Sequence, residues 1–326
     1  MLPGLSSRPL TLDDVPAWWR LEERSAALDH PHSREGEASL RSRLVGEGFD
    51  PARQSTGGFD EAGELRAVGW LGLRLGDTEH LRLHFTGVVD PAWRGRGVGR
   101  ELLAWAEATA RERAAWRRAD LGRDVPAALQ VWTADDREDL ARLCAAGGLG
   151  VRRHFSTMRL DLRPGVPDAP EPPTGYRLVR VDEHGTEGLR EAHNEVFADH
   201  WGSQPLTPAD WSLLVVDNPT FRPAWSYLVL HGEEIAGYAA VHAHEDDWPA
   251  LGFGEAHLDT LGVRRTHRGH RLAGVLLAAV ARRAAEVGLA AVALDVDTEN
   301  PSGALGLYER AGYVRAHGAT LHAKDL

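Results

Sequence analysis

The chain has 326 residues, 43% of them hydrophobic and 26% charged, a composition typical of a globular protein with two domains. Its formal net charge of −11 at pH 7 argues against a nucleic-acid partner, because such partners usually bind a basic surface. The single cysteine, Cys144, excludes an intrachain disulfide. We find neither a signal-peptide pattern nor an apolar run near the ~18 residues of a membrane span, so we expect a cytoplasmic protein with no membrane partner.

The first half of the chain is predicted to contain a strand hairpin, a long helix and a buried strand, in that order. The hairpin turns near Asp60–Gly63, the helix covers about Val98–Arg118, and Ala127–Trp132 has the apolar character of a buried strand. An apolar segment that ends in a glycine then precedes a short strand pair. This order of elements predicts one compact domain.

A proline-rich segment, Pro164–Thr174, divides the chain near its middle. Five prolines in eleven residues are incompatible with a helix or a central strand and favour an extended spacer. We therefore predict a first domain at 1–163, a linker at 164–174 and a second domain at 175–326.

The second half is predicted to repeat the same order of elements. Helices are predicted at 186–198, 271–287 and 302–310, and strands at 176–180, 225–230, 235–243, 255–263, 290–296 and from 313 onward. Leu272, Val275, Leu276 and Val280 recur at helical spacing. Arg94-Gly95 aligns with Arg268-Gly269 without a gap, which indicates an internal repeat.

Each half carries a glycine- and arginine-containing turn between a strand and a long helix. The first N–H groups of a helix have no helical partner and lie at the positive end of its dipole, so they bind anions, and glycine allows a phosphate to come close. A solvated packing turn is the alternative for a single such motif, but the turn occurs in both halves. A dinucleotide-binding fingerprint is a further alternative, and the antiparallel hairpin before the turn argues against it.

The motif Arg-x-x-Gly-x-Gly at Arg94–Gly99 resembles the acetyl-CoA pyrophosphate loop of the GCN5-related N-acetyltransferases (GNAT). The second half also resembles the later motif of that family, with an asparagine after a strand and then a helix that carries Tyr308 and ends at Gly312-Tyr313. The resemblance covers nearly all of each half. It implies an α/β fold with a mixed sheet, present as two tandem GNAT-type acetyltransferase domains, and acetyl-CoA as co-substrate without a metal.

The resemblance also implies which residues contact acetyl-CoA in each half. In the second half these are Leu261, Gly262, Val263, Arg268, Gly269, His270, Arg271, Leu272, Ala273, Gly274 and Asn300. In the first half they are Val88, Val89, Arg94, Gly95, Arg96, Gly97, Val98, Gly99 and Arg100. Arg271 and Ala273 stand where the motif has glycine, so the second loop departs from the family pattern.

The catalytic candidates lie in the second half. Tyr308 matches the tyrosine acid of the family, and its phenol is protonated at neutral pH. Strand alternation is expected to place Glu255, His257, Asp259 and Leu261 on one face, with Asp259 as the first candidate for the base and His257 and Glu255 as alternatives. A structural ion pair or a solvated strand residue remains the alternative for each.

The matched positions of the first half cannot supply this chemistry. Cys144 aligns with Tyr308, and Phe85 aligns with Asp259. We expect Cys144 to be a buried, inert thiol. The first domain is therefore predicted to be non-catalytic, and it either binds acetyl-CoA structurally or no longer binds it.

The acceptor is predicted only by class. Asp199, His200 and Trp201 lie where the family fold places its substrate-side loops. The expected function is acetyl transfer to a primary amine of a small molecule, and the alternatives are acetylation of a protein or peptide amine and a non-catalytic acyl-CoA sensor. The sequence leaves the oligomeric state open between monomer and homodimer.

Overall fold

The computed structural model describes residues 2–29, 36–46, 49–166, 170–198, 200–299 and 303–326. Its contacts divide the chain into two compact units. The first unit comprises Met1–Arg153 with Ala319–Leu326, and the second comprises His154–Gly318. None of the described helices combines the length and the apolar character that crossing a membrane requires.

Within the described ranges, the first unit contains five helices and a sheet of short and medium strands. The helices are α1 (Val15–Asp29), α2 (Glu37–Val45), α3 (Pro51–Gln54), α4 (Val98–Leu121) and α5 (Glu138–Ala146). The strands that begin in this unit are β1 (Ser6–Arg8), β2 (Ser55–Phe59), β3 (Leu65–Leu73), β4 (Leu81–Val89), β5 (Ala127–Ala134) and β6 (Gly150–Asp161). Short 3-10 turns cover Leu12–Asp14 and Pro91–Trp93.

The second unit repeats this plan with more irregular helices. Its helices are α6 (Val181–His184), α7 (Leu189–Val196), α8 (Pro208–Trp211), α9 (Trp248–Leu251), α10 (Leu272–Glu286) and α11 (Ala304–Arg310). The strands that begin in this unit are β7 (Tyr176–Arg180), β8 (Tyr227–His231), β9 (Glu234–His242), β10 (Glu255–Val263), β11 (Ala291–Asp297) and β12 (Val314–Asp325). A π-helix covers Ser212–Val216, and 3-10 turns cover Pro223–Trp225, Glu245–Asp247 and Arg265–His267.

The strand order is the same in both units. In the first, β1, β2, β3 and β4 follow one another antiparallel, and β4 pairs parallel with β5. In the second, β7, β8, β9 and β10 are antiparallel, and β10 pairs parallel with β11. The predicted α/β fold with a mixed sheet, present twice, is confirmed.

The last strand of each sheet comes from a distant part of the chain. Ala319–Asp325 of β12 pairs antiparallel with β5 and completes the first unit. Phe155–Asp161 of β6 pairs antiparallel with β11 and completes the second. The compact units therefore differ from the predicted domains, which end at 163 and begin at 175, because strand alternation does not show which sheet a terminal strand joins.

The two long helices cover one face of each sheet. Buried α4 residues such as Leu103, Ala106 and Ala110 pack on Leu83 of β4 and Leu129 of β5. In the second unit, Leu272, Val275 and Leu276 of α10 pack with Leu258 of β10 and Val292 of β11. The helical spacing of apolar residues in the sequence therefore predicted the buried face of α10 correctly.

Candidate active site

A cleft opens between the two parallel strands of each sheet. In the first unit, β4 and β5 pair only over Leu81–His84 and Ala127–Gln130, although both strands continue beyond. In the second unit, β10 and β11 pair only over Glu255–His257 and Ala291–Ala293. Alternate backbone N–H and C=O groups of the diverging ends therefore face the cleft and can bind an extended ligand.

A left-handed loop leads from each cleft into the long helix. In the first unit Gly95 has φ 75° and Gly97, the residue before α4, has φ 86°. In the second, Gly269 has φ 85° and Arg271, the residue before α10, has φ 60°. The two loops share this backbone pattern although arginine replaces glycine at the second position.

Both loops leave the first N–H groups of the helix accessible to a ligand. Neither Gly97 nor Arg271 forms a side-chain cap on its helix. A Cβ atom added to Gly95, Gly269 or Gly274 would meet no atom within 4 Å, so a phosphate can approach the backbone there. Free N–H groups and the helix dipole together favour a bound diphosphate.

The matched arginines of the two loops have different partners. Arg94 and Arg268 each donate from Nε to the last carbonyl of the preceding strand, of Val89 and of Val263, both at 3.2 Å. Arg94 also forms a bidentate ion pair with Asp29, both distances being 2.7 Å. Asp29, which also pairs with Arg137 at 3.0 Å, therefore holds the loop arginine of the first unit in an ion pair, whereas Arg268 is exposed and forms no ion pair within the described ranges.

The strand before the second loop contains a β-bulge at Asp259. Leu258 pairs with Val241 and Thr260 with Ala240, so Asp259 is an extra residue on β10. The matching strand of the first unit, β4, pairs with β3 residue by residue from Leu83 to Val89. Bulges re-aim side chains and often lie next to active sites.

The bulge corrects the predicted arrangement of side chains along β10. Beyond it, Leu261 packs with Val263 against the α10 core, on the same side as Leu258. The prediction that Leu261 shares a face with His257 and Asp259 was therefore wrong, because one extra residue shifts the alternation of a strand.

The three base candidates differ in the exposure of their side chains and in the polar groups that these side chains contact. Glu255 is partly buried and forms an ion pair with Arg159, with Arg159 Nη2 at 3.3 Å from Glu255 Oε1. His257 is half-buried, and its Nε2 atom lies 3.6 Å from Asp295. Asp259 is exposed and accepts a hydrogen bond of 2.8 Å from the hydroxyl of Thr260. Asp259 and His257 are thus accessible to an acceptor, whereas Glu255 already has a cationic partner.

Two further histidines join this side of the sheet. The rings of His244 and His257 are 5.5 Å apart, and those of His242 and His244 are 6.3 Å apart. Burial lowers the pKa of His242 and of His244, so both are neutral at pH 7. The sequence suggests His242 and His244 as part of a polar cluster that could touch a substrate, and the pairing of His242 with His257 places this cluster beside the base candidates.

The tyrosine candidate is buried where α11 meets the sheet. Tyr308 is 9% exposed and belongs to the core beneath α10, and burial raises its pKa to about 12. Its phenol therefore stays protonated throughout the neutral range, as an acid requires. At the matched position of the first unit, burial raises the pKa of Cys144 to about 11, so that thiol is neutral.

Some predicted contacts lie elsewhere or outside the described ranges. Asp199 and Asn300 are not among the described residues. His200 and Trp201 follow α7; the Trp201 side chain is 42% exposed, and its carbonyl lies 3.1 Å from His200 Nδ1. Within the described ranges no three His, Cys, Asp or Glu side chains are placed to hold a metal ion.

Comparisons with known proteins agree with this geometry. The sequence matches the acetyltransferase (GNAT) family over residues 16–133 and again over 186–313. A mycothiol acetyltransferase from Brachybacterium faecium is 30% identical over 231 residues, which is 70% of this chain and 63%, or less than two thirds, of that relative's length.

Two solved structures share the fold. A GCN5-related N-acetyltransferase from Sphaerobacter thermophilus superimposes with a TM-score of 0.76 at 24% identity, over 100% of this chain and 97% of that one. A tandem GNAT protein from the clavulanic acid biosynthesis pathway gives a TM-score of 0.68 at 18% identity, over 98% of both chains. The chain contains two family regions, and each has a cleft and a left-handed loop. These findings identify this protein as a tandem member of the acetyltransferase (GNAT) family, which confirms the expected N-acetyltransferase at the level of the family.

Proposed function

We propose that the protein is an acetyl-CoA-dependent N-acetyltransferase whose second unit transfers the acetyl group to a primary amine of a small molecule. The observation that carries the proposal is the bulge at Asp259, which lies in the cleft strand of the second unit and has no counterpart in β4. The relative from Brachybacterium faecium is named a mycothiol acetyltransferase, and this name supports a small-molecule acceptor.

The second loop and cleft fit acetyl-CoA. The backbone N–H groups at the start of α10 would hold the diphosphate, with Arg268 beside them. The unpaired edge of β10 beyond His257 would bind the extended arm that carries the thioester. When bound, acetyl-CoA supplies an activated acetyl group and a thiolate leaving group.

The residues around the bulge would perform the proton transfers. N–H groups of Leu261, Gly262 or Val263 that face the cleft would polarise the thioester carbonyl. Asp259, directly or through a water, would accept the proton of the attacking amine, and His257 is the nearest second candidate. Tyr308, which its raised pKa keeps protonated, would donate a hydrogen bond to the leaving sulfur as negative charge develops there.

The first unit would have a structural and not a catalytic role. The ring of Phe85, at the position matched to Asp259, lies against Trp105 of α4, with ring centroids 6.4 Å apart, and over Gly87 of the cleft strand. No proton acceptor stands at this position. The buried free cysteine is compatible with a reducing compartment, which supports a cytoplasmic location.

The test is a thiol-release assay with acetyl-CoA and a panel of amines. We expect turnover with at least one small amine, a loss of about 100-fold or more for Asp259→Asn, and full activity for the matched control Phe85→Leu. Tight acetyl-CoA binding without turnover on any amine would instead support a sensor. Faster turnover of peptides than of small amines would contradict a small-molecule acceptor and support a protein or peptide acceptor.

A further inference from the structure

His242, the last residue of β9, is a buried histidine that the proposed mechanism does not use. Ala240 and Tyr238, two and four residues before it, belong to the core that β9 forms with α7 and α8. Because alternate residues of a strand share a face, His242 lies on this face of the sheet, opposite α10. Its side chain is 4% exposed, and the centroid of the Phe221 ring lies 5.5 Å from that of His242.

The hydrogen bonds behind the His242 ring have a fixed direction. Asn218 donates from Nδ2 to the carbonyl of Leu214 at 3.2 Å, so Oδ1 is the accepting atom of its amide. This oxygen accepts from the backbone N–H of Thr220 at 3.0 Å and from the Thr220 hydroxyl at 2.7 Å. The hydroxyl has thereby used its one hydrogen, and it can only accept from His242 Nδ1, 2.9 Å away. The Nδ1 atom of His242 therefore carries a hydrogen.

The other ring nitrogen of His242 is a hydrogen-bond acceptor. Burial lowers the pKa of His242, so the ring is neutral at pH 7, and with the hydrogen on Nδ1 the Nε2 atom has a free lone pair. Nε2 is buried and has no hydrogen-bond partner among the residues that the structure describes. Since buried polar atoms are nearly always hydrogen-bonded, this acceptor indicates a donor that a ligand supplies.

The His242 ring lies near the proposed base. His242 pairs with His257, which is two residues before the bulged Asp259 on β10. The charge of Asp259 acts on the His242 ring and opposes the effect of burial on its pKa. The other titratable or charged groups near the ring are His257, His244 and Arg222. A neutral acceptor and an anionic acceptor are thus brought together at the cleft strand of the second unit.

We propose that His242 Nε2 accepts a hydrogen bond from the acceptor amine and so makes the second unit selective for primary over N-methylated amines. The inference rests on the proposed function, because it concerns the binding of the same amine. A neutral primary amine has two N–H groups and one lone pair. One N–H would give its proton to Asp259, and the other would donate to His242. The lone pair would form the bond to the thioester carbon, and the C–S bond would break with its electron pair going to sulfur.

A secondary amine cannot make both contacts. In its neutral form it has a single N–H, which the base requires, so Nε2 of His242 would stay buried without a donor. Such an unsatisfied acceptor lowers the affinity of a site for the wrong ligand. The selectivity therefore follows from the number of N–H groups on the amine.

The first unit has no acceptor atoms at the matched positions. The pair that corresponds to His242 and His257 is Leu73 opposite Leu83. Both leucines pack in the core beneath α4. The proposed contact is therefore specific to the second unit.

The tautomer of His242 can be measured without any substrate. In long-range proton–nitrogen NMR spectra of the full chain with ¹⁵N-labelled histidine, we expect the Nδ1–H tautomer at pH 7, assigned by the loss of its signals in His242→Asn. Thr220→Val removes the acceptor of this hydrogen and should shift the ring toward the Nε2–H form. The matched control Thr220→Ser keeps the hydroxyl and should keep the tautomer. An Nε2–H tautomer in the unaltered protein would overturn the inference, because Nε2 could not accept a hydrogen bond.

Two substitutions of His242 distinguish amine binding from a structural role. Asparagine can still donate to Thr220 from Nδ2 but has no atom at the place of Nε2, whereas glutamine can place an oxygen there. The measurement is kcat/KM for the primary amine that is turned over fastest in the panel, divided by kcat/KM for its N-methyl derivative. This ratio does not depend on the folded fraction of a variant. We expect His242→Asn to lower it by about 10-fold, as for one hydrogen bond, and His242→Gln to keep it within about threefold.

The two proposals fail differently. An unchanged ratio in His242→Asn would overturn the inference and leave the proposed function standing. A lower ratio in His242→Gln than in His242→Asn would do the same, because it would show that the contact with Thr220 is the one that matters. Absence of turnover with every amine would overturn both proposals.

Discussion

Arg271→Gly should stabilise the protein and lower its affinity for CoA. Arg271 has φ 60° and ψ 20°, the left-handed region, in which a non-glycine residue costs about 1–2 kcal/mol. Glycine removes that cost but gives the unfolded chain more freedom, worth about 0.5–1 kcal/mol. The net expectation is a gain of about 0.5–1 kcal/mol in the free energy of unfolding, and at about 2–4 °C per kcal/mol the melting temperature of the second unit should rise by about 1–4 °C.

The matched control is Arg268→Gly. Arg268 has φ −66° and ψ 156°, an ordinary extended conformation, so glycine there relieves no strain and should destabilise. The converse variant in the first unit, Gly97→Arg, places arginine at φ 86° and should cost about 1–2 kcal/mol.

Urea or thermal unfolding of the three variants measures these changes. If Arg271→Gly loses as much stability as Arg268→Gly, the left-handed conformation carries no strain and the reasoning fails. Titration with CoA completes the comparison, because the stabilised variant should bind more weakly once its guanidinium is removed.

Three further predictions concern other parts of the two units. Burial lowers the pKa of His84 to about 4, below its ordinary value of 6.5, so the unfolded chain binds a proton first as pH falls. The first unit should therefore lose on the order of 1 kcal/mol per pH unit between about 6.5 and about 4, and His84→Gln should remove that slope in urea unfolding followed against pH. Tyr308→Phe should lower kcat by about 100-fold with an unchanged unfolding midpoint, and an unchanged kcat would remove the tyrosine from the mechanism. Deletion of Ala319–Leu326 should unfold the first unit, since it removes the buried Leu321 and Ala323 and the strand beside β5. Amide hydrogen exchange in α10 of the second unit should stay slow in this variant. A parallel loss of protection in α10 would contradict the division into units.

The regular elements of the active half could be predicted from the sequence. The strand at 255–263 agrees with its observed bounds, and the helix predicted at 271–287 agrees to one residue at each end. Hydrophobic periodicity reports local burial, and in these segments local burial decides the structure. The positions of the two loops were also predicted correctly, because glycine and arginine before a helix indicate a turn from the local sequence alone.

Features that depend on partners far along the chain were not predictable. The bulge at Asp259 arises from the pairing of β10 with a shorter stretch of β9, and polarity along one strand does not reveal it. Arg94 has the sequence context of a phosphate contact, yet a carboxylate 65 residues away holds its guanidinium. The exchanged final strands are likewise set by pairing over long distances.

The most direct test of the account is the location of the acetyl-CoA site. Ala273→Glu places a carboxylate in the first turn of α10, and Gly99→Glu places one at the matched position of α4, where a Cβ atom would make only an ordinary 3.4 Å contact. In each case glutamate is compatible with the helix start and repels a diphosphate. In calorimetric titrations of the full chain we expect Ala273→Glu to abolish acetyl-CoA binding and Gly99→Glu to preserve it. Loss of binding in Gly99→Glu with retention in Ala273→Glu would place the site in the first unit and contradict the account.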